Sequence, residues 1–368
     1  MGAEPTVARV KASTSSAEDL PPGPSRARIL LVYPIDATFI QADLAHLRSI
    51  CEVVPLEFRG SRDYLSLLKW LLRVDVVYCW FALEFAAVSV LLAKLVGRKS
   101  IVVAGGWDVT GIAEIGYGRL LRRRGRLAAR VACGIADLVL AFSDWSAAQV
   151  RQIAPRARVR RAYLSVDLDA FRPGSKEDLV VCVAHVSRQN IARKGLRTYV
   201  RAANLVPEAR FLLVGRLWDE SAEELRAIAS SNVTLTGWLE DAEFKDVLAR
   251  AKVYCQASFT EGFGVALAEA MASGCVPVVC RAGAMPEVVG DVGLYVPYGD
   301  ERSLASAVRE ALQSGRGMEA RDRVHRLFSS GARREELRIA VQEVGRASPS
   351  IASASGSVQP AVVPRARR

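Results

Sequence analysis

The chain has 368 residues, of which 51% are hydrophobic, and it carries a formal net charge of +11 at pH 7. This length and apolar content exclude a disordered chain and predict roughly two globular domains. The positive charge calls for an anionic partner, and composition alone leaves nucleic acid, phosphate and acidic lipid open. The seven cysteines are scattered, include no CxxC pair and mostly stand in apolar runs, so they are predicted to be reduced core residues.

Residues 1–27 are predicted to be a disordered tail. They contain no apolar run of signal-peptide length, so secretion is not expected. A cytoplasmic protein, peripheral at most to the inner face of the membrane, is therefore expected. Residues 70–96 are the one candidate membrane span, but four charged side chains interrupt them. A buried strand at 74–79, followed by a helix that packs on a sheet, fits this stretch better.

Four short β-rich runs then alternate with helical patterns. They are RILLVYP (28–34), VDVVYCW (74–80), SIVVAGG (100–106) and DLVLAFS (137–143). Nearly continuous apolar strands separated by helices are typical of a parallel sheet covered on both faces. Residues 28–170 are therefore predicted to form a doubly wound α/β domain.

A turn-rich stretch precedes a second series of strands. They are LVVCVAHVS (179–187), RFLLVGR (210–216), NVTLTG (232–237), KVYCQAS (252–258) and VPVVCRAG (276–283). Residues 171–346 are predicted to form a second α/β domain, which ends in a helix over 319–344, and 347–368 a disordered tail. Two Rossmann-like domains that face a central cleft bind ligands at the loops beyond the carboxyl ends of their strands.

One loop of the second domain, TEGFG, combines glycines with a carboxylate between a strand and an alanine-rich helix. Gly262 and Gly264 let the backbone approach a ligand closely, and the helix amides behind them suit phosphate or a sugar oxygen. The helix is predicted to begin near Gly264 and to stop at Gly274. Glu261 precedes it and Glu269 lies within it, and either one alone is also explained as a favourable charge near a helix N-terminus.

The segment EGFGVALAE resembles the signature of family 4 glycosyltransferases, in which seven residues separate two glutamates. That family has the two-domain GT-B fold and moves a sugar from a nucleotide-sugar donor with retention at the anomeric carbon. The likeness extends over about residues 160–345. It includes VDLDAFRP (166–173), RKGLRTYVRAA (193–203), FLLVGR (211–216), NVTLTGWLEDAEFKDVLARAKVYCQAS (232–258) and PEVVGDVGLYVPYGD (286–300).

The resemblance implies roles for residues of this loop and helix. Glu269 is expected to accept hydrogen bonds from the ribose hydroxyls of the nucleotide. Glu261 is expected to contact the transferred sugar, beside the backbone amides of Phe263, Gly264 and Val265.

The family also places an arginine and a lysine after the first strand of its second domain, where they hold the donor diphosphate. In VSRQNIARKG the best candidates are Arg188 and Lys194, with Arg193 as the rival arginine. Cationic side chains and helix amides stabilise a leaving diphosphate without a metal, so a metal-independent transfer without a cofactor is predicted.

The first domain departs from the family at two loops. The loop after its first strand has no glycine, and Phe39, Gln41 and Asp43 are candidates for shaping an acceptor site there. The segment VVAGGWDVTG has no histidine where many members use one to touch the donor sugar.

Within that segment, Gly105 and Gly106 still imply a close backbone approach to substrate. Asp108 either orients a sugar or acceptor hydroxyl or caps a helix. The histidines at positions 46, 185 and 325 are predicted to be structural.

Positive charge is concentrated at 118–132, which has six arginines and no acid, and at 150–161, which has five and no acid. One side of a helix over 118–132 would carry Arg119, Arg122, Arg123, Arg126 and Arg130. This pattern fits an amphipathic helix that rests on anionic lipid, and it fits equally a surface helix packed on its own sheet. Nucleic acid is not predicted as a partner, because no recognition motif accompanies the arginines.

The predicted function is a retaining transfer of a hexosyl group from a nucleotide-sugar donor to a saccharide or lipid-linked acceptor in cell-envelope or exopolysaccharide synthesis. Front-face attack is favoured, because no carboxylate is placed on the far face of the sugar. The alternatives are a GT-B epimerase or soluble-sugar synthase, and a catalytically silent nucleotide-sugar-binding protein.

Overall fold

The computed structural model describes residues 27–345, which form two α/β units, each built on a parallel sheet of six strands. The strands of the first sheet are β1 (Arg28–Tyr33), β2 (Glu52–Glu57), β3 (Val76–Trp80), β4 (Lys99–Ala104), β5 (Leu138–Ala141) and β6 (Val159–Arg161). Its order is β2-β1-β3-β4-β5-β6. The order reverses after β1 and β2, as in a doubly wound fold.

The helices of the first unit are α1 (Thr38–Arg48), α2 (Asp63–Leu71), α3 (Glu84–Leu95), α4 (Arg123–Ile135) and α5 (Asp144–Ile153). Short 3₁₀ turns lie at Trp107–Val109, Ala113–Ile115 and Arg119–Leu121. The apolar stretch at 70–96 forms β3, all of whose residues are buried, and α3, as predicted. Within residues 27–345, no helix combines the length and apolarity needed to cross a bilayer.

The second sheet has the order β12-β11-β10-β7-β8-β9. Its strands are β7 (Glu177–Val183), β8 (Arg210–Val214), β9 (Val233–Gly237), β10 (Ala251–Gln256), β11 (Val276–Cys280) and β12 (Leu294–Val296). The helices that follow in the chain are α6 (Arg188–Arg193), α7 (Leu196–Asn204), α8 (Ser221–Ile228), α9 (Asp241–Arg250), α10 (Val265–Ala272), α11 (Met285–Val289), α12 (Glu301–Gln313), α13 (Gly317–Leu327) and α14 (Ser330–Gly345).

The predicted strands are all present, and the three strands that sequence reasoning missed, β2, β6 and β12, lie at sheet edges. All of their residues except the buried Val296 are partly buried or exposed, so these strands lack the continuous apolar run of a strand that is covered on both faces. All seven cysteines are buried, as predicted. The predicted disordered tails lie outside the described residues.

The prediction of a single helix over 319–344 is wrong. The chain breaks between α13 and α14, and α14 packs against α1 of the first unit. The anchor is Arg333, which is 2% exposed and donates to both carboxylate oxygens of Asp43 at 2.8 and 2.7 Å. Tyr78 also donates to Asp43, at 3.2 Å. Asp43 therefore has a structural ion-pair role, and its part in shaping an acceptor site stays a prediction.

Candidate functional site

The loop between β10 and α10 lies where the two units meet. Gly264 is the N-cap of α10 with φ of 95°, a left-handed conformation that favours glycine. Gly274 follows the C-cap with φ of 78°, so the predicted helix limits are confirmed. Phe263 is buried against Tyr163 and Phe328, with ring centroids 6.0 and 5.2 Å away, and this packing anchors the loop.

Glu261 is 8% exposed and lies within a set of cationic and amide donors. Its carboxylate accepts hydrogen bonds from Lys194 Nζ at 2.7 Å and Gln256 Nε2 at 2.9 Å. Burial alone would raise the pKa of this carboxyl, but the charges of Lys194 and Arg193 outweigh burial and hold its pKa below the ordinary value. Glu261 is therefore an anion at neutral pH, paired with the lysine that sequence analysis assigned to the donor diphosphate.

The two candidate arginines are placed differently. Arg193 Nη1 lies 3.7 Å from Glu261 Oε2, and its side chain is 17% exposed. Arg188 is exposed at the start of α6, where its backbone N–H donates to Asp219 at 2.9 Å. The structure thus brings Arg193, and not Arg188, to the glutamate of the loop.

Glu269 lies on α10, partly buried. Among residues 27–345, its carboxylate takes part in no hydrogen bond or ion pair. Burial, followed by the nearby negative charge of Asp241, raises its pKa to about 7, and Lys245 opposes this effect. A carboxylate without a partner among these residues is available to accept hydrogen bonds from a ligand.

The close backbone approach predicted at Gly105 and Gly106 is made to the second unit. A Cβ added to Gly262 would lie 2.1 Å from the carbonyl oxygen of Gly105, and one added to Gly106 would lie 2.9 Å from Gly262 Cα. Ser143 Oγ also donates to the Gly262 carbonyl, at 2.8 Å. The two units therefore touch directly beside Glu261. Contact of either first-unit glycine with substrate stays a prediction.

Asp108 is fully buried and holds its own loop together. Its carboxylate accepts hydrogen bonds from the backbone N–H groups of Ala82, Gly105 and Gly106 at 2.7, 2.9 and 3.0 Å. Burial raises its pKa to about 6, although these hydrogen bonds lower it. Asp108 is not a helix cap, because neither the 3₁₀ turn at Trp107–Val109 nor α3 has a capping side chain. Substrate contact by Asp108 stays a prediction.

A cavity of about 240 Å³ opens between the first-unit loop and α6. Its lining includes Trp107, Tyr117, Gln189, Asn190 and Arg193. The Arg193 guanidinium lies 5.1 Å from the centroid of the Tyr117 ring. Sequence analysis missed Tyr117 and also Gln256, since neither stands in a recognisable motif. Only the position of Gln256 at the end of β10 signals its proximity to the loop.

The arginine-rich stretch does not form one helix. Arg119 lies in a separate 3₁₀ turn and forms an ion pair with Glu84, so its assignment to a common helical face is wrong. Arg122, Arg123, Arg126 and Arg130 are exposed on or beside α4. Leu127 is 64% exposed, and the inward side of α4 consists of smaller residues that include Gly125 and Ala128.

The described residues contain no group of three or more His, Cys, Asp or Glu side chains placed to hold a metal ion. The sequence has one Asp-x-Asp spacing, at Asp167 and Asp169. Asp167 accepts hydrogen bonds from the backbone N–H groups of Asp169 and Ala170 at 2.9 and 3.1 Å, and Asp169 pairs with Arg172. These two carboxylates therefore stabilise a turn.

Residues 177–314 match the model of the family described as "Glycosyl transferases group 1". O-antigen chain mannosyltransferase B of Escherichia coli is 30% identical over 199 residues, which make up 48% of this chain and 52% of that protein. A phosphatidyl-myo-inositol mannosyltransferase of Mycolicibacterium smegmatis is 31% identical over 156 residues, which make up 39% and 40% of the two chains. The chain thus spans about half the length of the curated relatives it matches, or less.

Solved structures with low sequence identity share the whole architecture. Sucrose-phosphate synthase from Thermosynechococcus elongatus superposes with a TM-score of 0.69 at 17% identity, covering 88% of this chain and all of that one. HepE from Anabaena, in complex with UDP, gives a TM-score of 0.72 at 16% identity, covering 86% of this chain and all of that one. At such identities the likeness concerns the fold, and the chain adopts the two-domain GT-B fold.

Proposed function

We propose that this protein transfers a sugar from a nucleotide-sugar donor to a saccharide or lipid-linked acceptor in the synthesis of cell-envelope or exopolysaccharide glycan. The observation that carries the proposal is the Lys194–Glu261 ion pair at 2.7 Å, next to Arg193 and at the contact between the two units. The group 1 match over 177–314 and the mannosyltransferase relatives support it.

In the proposed reaction the cations neutralise the leaving group. Lys194 and Arg193 would donate hydrogen bonds to the donor diphosphate, and a cation stabilises the negative charge that develops as the glycosidic bond breaks. Glu261 holds Lys194 in place and is positioned to contact the transferred sugar. Glu269, which lacks a partner among residues 27–345, is the candidate acceptor of hydrogen bonds from the ribose hydroxyls.

Retention and independence from metal belong to the same proposal. Attack from the face of the leaving diphosphate gives retention without a nucleophilic carboxylate on the opposite face of the sugar. Lys194 and Arg193 supply positive charge that many transferases take from a divalent ion. The anomeric configuration of the product, read by NMR, tests retention. Equal rates in EDTA and in Mg²⁺ support independence from metal, and a requirement for Mg²⁺ contradicts it.

The first experiment measures thermal unfolding of the full chain with UDP, GDP, ADP and their common sugar conjugates, because a ligand of the folded state raises the midpoint. Sugar transfer from the stabilising conjugate to bacterial lipid extract is then assayed. Transfer that is lost in Glu261→Gln supports the proposal. Donor binding with neither transfer nor donor hydrolysis supports the silent binding protein, and transfer to soluble sugars alone supports the synthase.

The proposal includes an anionic membrane surface as a docking partner, through the exposed arginines of α4 and the exposed Leu127. Vesicles that contain phosphatidylglycerol should sediment the wild type but not a variant with Arg122, Arg123 and Arg124 changed to Gln. A matched variant with three exposed arginines elsewhere changed to Gln, Arg172, Arg226 and Arg338, has the same net charge and should still sediment. Equal sedimentation of both variants would contradict docking through α4.

A further inference from the structure

A second cluster of the second unit lies beyond three neighbouring strands, and none of its residues is assigned to the donor diphosphate, the transferred sugar or the ribose. It consists of His185 after β7, Arg216 and Trp218 after β8, and Trp238 after β9, and we call it the indole platform. β7, β8 and β9 are neighbours in the sheet, so their carboxyl-end loops stand side by side. This is the edge at which open α/β sheets bind ligands.

The platform is a stack of flat groups. The Arg216 guanidinium lies 4.6 Å from the ring centroid of Trp238 and 5.7 Å from that of Trp218. His185 stacks on Trp238 at 6.3 Å with an interplanar angle of 26°. Trp218 and Trp238 are nevertheless 43% and 53% exposed. Two large exposed indoles beside each other mark a binding surface rather than a core.

Arg216 lacks the partner that a half-buried arginine usually has. Among residues 27–345, its guanidinium makes no hydrogen bond and no ion pair, and the two indole faces alone hold it. Its backbone N–H donates to His185 Nδ1 at 3.1 Å, so a neutral His185 carries its proton on Nε2. The platform thus offers hydrogen-bond donors and flat apolar faces, and these features suit a flat ligand that bears hydrogen-bond acceptors.

The platform adjoins both groups assigned to the donor. Asn190 of α6, four residues before Lys194, donates from Nδ2 to the carbonyl oxygen of His185 at 2.9 Å. Burial, and after it the charges of Arg216 and Lys194, lower the pKa of the His185 imidazole. On the other side, Trp238 precedes α9, whose Asp241 and Lys245 act on Glu269. A nucleotide that reaches from Lys194 to Glu269 therefore has the platform within range of its base.

We propose that the indole platform binds the base of the donor nucleotide and that Arg216 selects guanine. This inference depends on the proposed function. A guanine ring coplanar with the guanidinium would lie over the same indoles and place its O6 and N7, two adjacent acceptors, before the arginine donors. Adenine presents an N–H donor beside N7, and uracil presents a single carbonyl on that edge, so neither accepts two bonds.

The test is titration calorimetry of the full chain with GDP, ADP and UDP. A two-bond contact to arginine favours the right base by about 5- to 150-fold in affinity, so GDP should bind at least about 5-fold more tightly than ADP or UDP. Arg216→Met keeps a side chain of similar reach without donors, and it should remove this preference. Trp238→Leu should weaken all three nucleotides, because stacking does not depend on base identity. Arg226→Met, a surface arginine paired with Glu223 on α8, is the control and should change nothing.

Equal dissociation constants for the three nucleotides in the wild type would overturn the inference and leave the proposed function standing. An equal loss of affinity for all three in Arg216→Met would show that Arg216 contacts the diphosphate, and this also overturns it. Binding of none of the three by the wild type would overturn the proposed donor together with the platform. Circular dichroism of each variant confirms that it is folded.

Discussion

Glu287 of the second unit caps α5 of the first: its two carboxylate oxygens accept hydrogen bonds from the backbone N–H groups of Asp144 at 2.6 Å and Trp145 at 2.8 Å. The N-terminus of a helix carries partial positive charge and unpaired N–H groups, so a carboxylate there is stabilising. Because Ser143 beside this cap also donates to the Gly262 carbonyl, the carboxylate joins the two units next to the loop between β10 and α10.

Replacing Glu287 with Ala should loosen this contact. Loss of a helix cap costs about 1 kcal/mol of the free energy of unfolding, and a displaced Gly262 should lower sugar transfer by roughly 10- to 100-fold. Urea unfolding and initial rates measure the two effects. Glu310→Ala, at an exposed position of α12, is the matched control and should behave as wild type. Transfer at the wild-type rate in Glu287→Ala would show that the cap has no part in positioning the loop.

A methyl group at Gly262 should act at the same contact by steric means. Since its Cβ would lie 2.1 Å from the Gly105 carbonyl oxygen, Gly262→Ala must push the units apart. We expect a fall in thermal midpoint and a loss of transfer of at least about 10-fold.

Gly331 provides the control for that substitution. It lies in α14, and no atom stands within 4 Å of an added Cβ. Gly331→Ala should leave transfer unchanged and change the free energy of unfolding by no more than about 0.5 kcal/mol, because the position is exposed in the first turn of the helix. A Gly262→Ala variant that matches Gly331→Ala in both readouts would contradict the direct contact.

Changing Lys194 to Met should leave the Glu261 carboxylate buried without its main cation. Breaking a buried ion pair costs about 3 kcal/mol of the free energy of unfolding, and transfer should be abolished. The double variant Lys194→Met with Glu261→Gln removes the orphaned charge and should recover part of the stability but none of the activity. Urea denaturation of the wild type, Lys194→Met, Glu261→Gln and the double variant measures the coupling energy between the two residues. Additive stability losses would show that the pair does not interact.

Nucleotide binding should depend on pH through Glu269. Burial and Asp241 raise its pKa to about 7, so the carboxyl is largely protonated at pH 6 and charged at pH 8. In the proposed donor complex a charged Glu269 accepts hydrogen bonds from two ribose hydroxyls, so nucleotide affinity should rise between pH 6 and pH 8. Asp241→Asn, which removes the neighbouring negative charge, should shift this rise to lower pH. Calorimetry at pH 6, 7 and 8 measures both proteins, and a flat profile in the wild type would contradict the role of Glu269.

The raised pKa of Glu269 also makes the free energy of unfolding depend on pH. The pKa of this carboxyl in the folded state lies above the ordinary value of 4.5, so the folded state binds more protons between about pH 4.5 and 7. Stability from this group is present below that window and is lost as the pH rises through it. Glu269→Gln should therefore unfold at higher urea concentration than wild type at pH 8 and at nearly the same concentration at pH 4.5. An equal difference at both pH values would indicate a change in packing instead.

The buried strands and the main loop could be predicted from sequence because they depend on local patterns. β1, β3, β4 and β5 are apolar runs, and Gly264 and Gly274 bound α10 by their backbone conformation. The contacts that join the units could not be predicted. Asp43 and Arg333 lie 290 residues apart, and Glu287 and Asp144 lie 143 apart. No local periodicity indicates which charge will meet which across such distances.

The candidate site was likewise predictable from sequence only in part. Lys194 and Glu261 were identified by a motif, and the structure places them in contact. The choice between Arg188 and Arg193 depended on how α6 is oriented, which residue spacing does not define. Asp108 stood in a loop that fits either substrate contact or capping, and its three backbone amides become visible only once the loop is folded.

The return of α14 to the first unit makes that unit discontinuous along the chain. During synthesis β1 to β6 leave the ribosome long before Arg333 does. Asp43 can therefore form its buried ion pair with Arg333 only after the second unit has been synthesised. The usual order, in which an N-terminal domain folds first and alone, therefore does not suit this protein. A fragment that ends near residue 170 should be poorly folded, and adding α14 as a separate peptide should improve it.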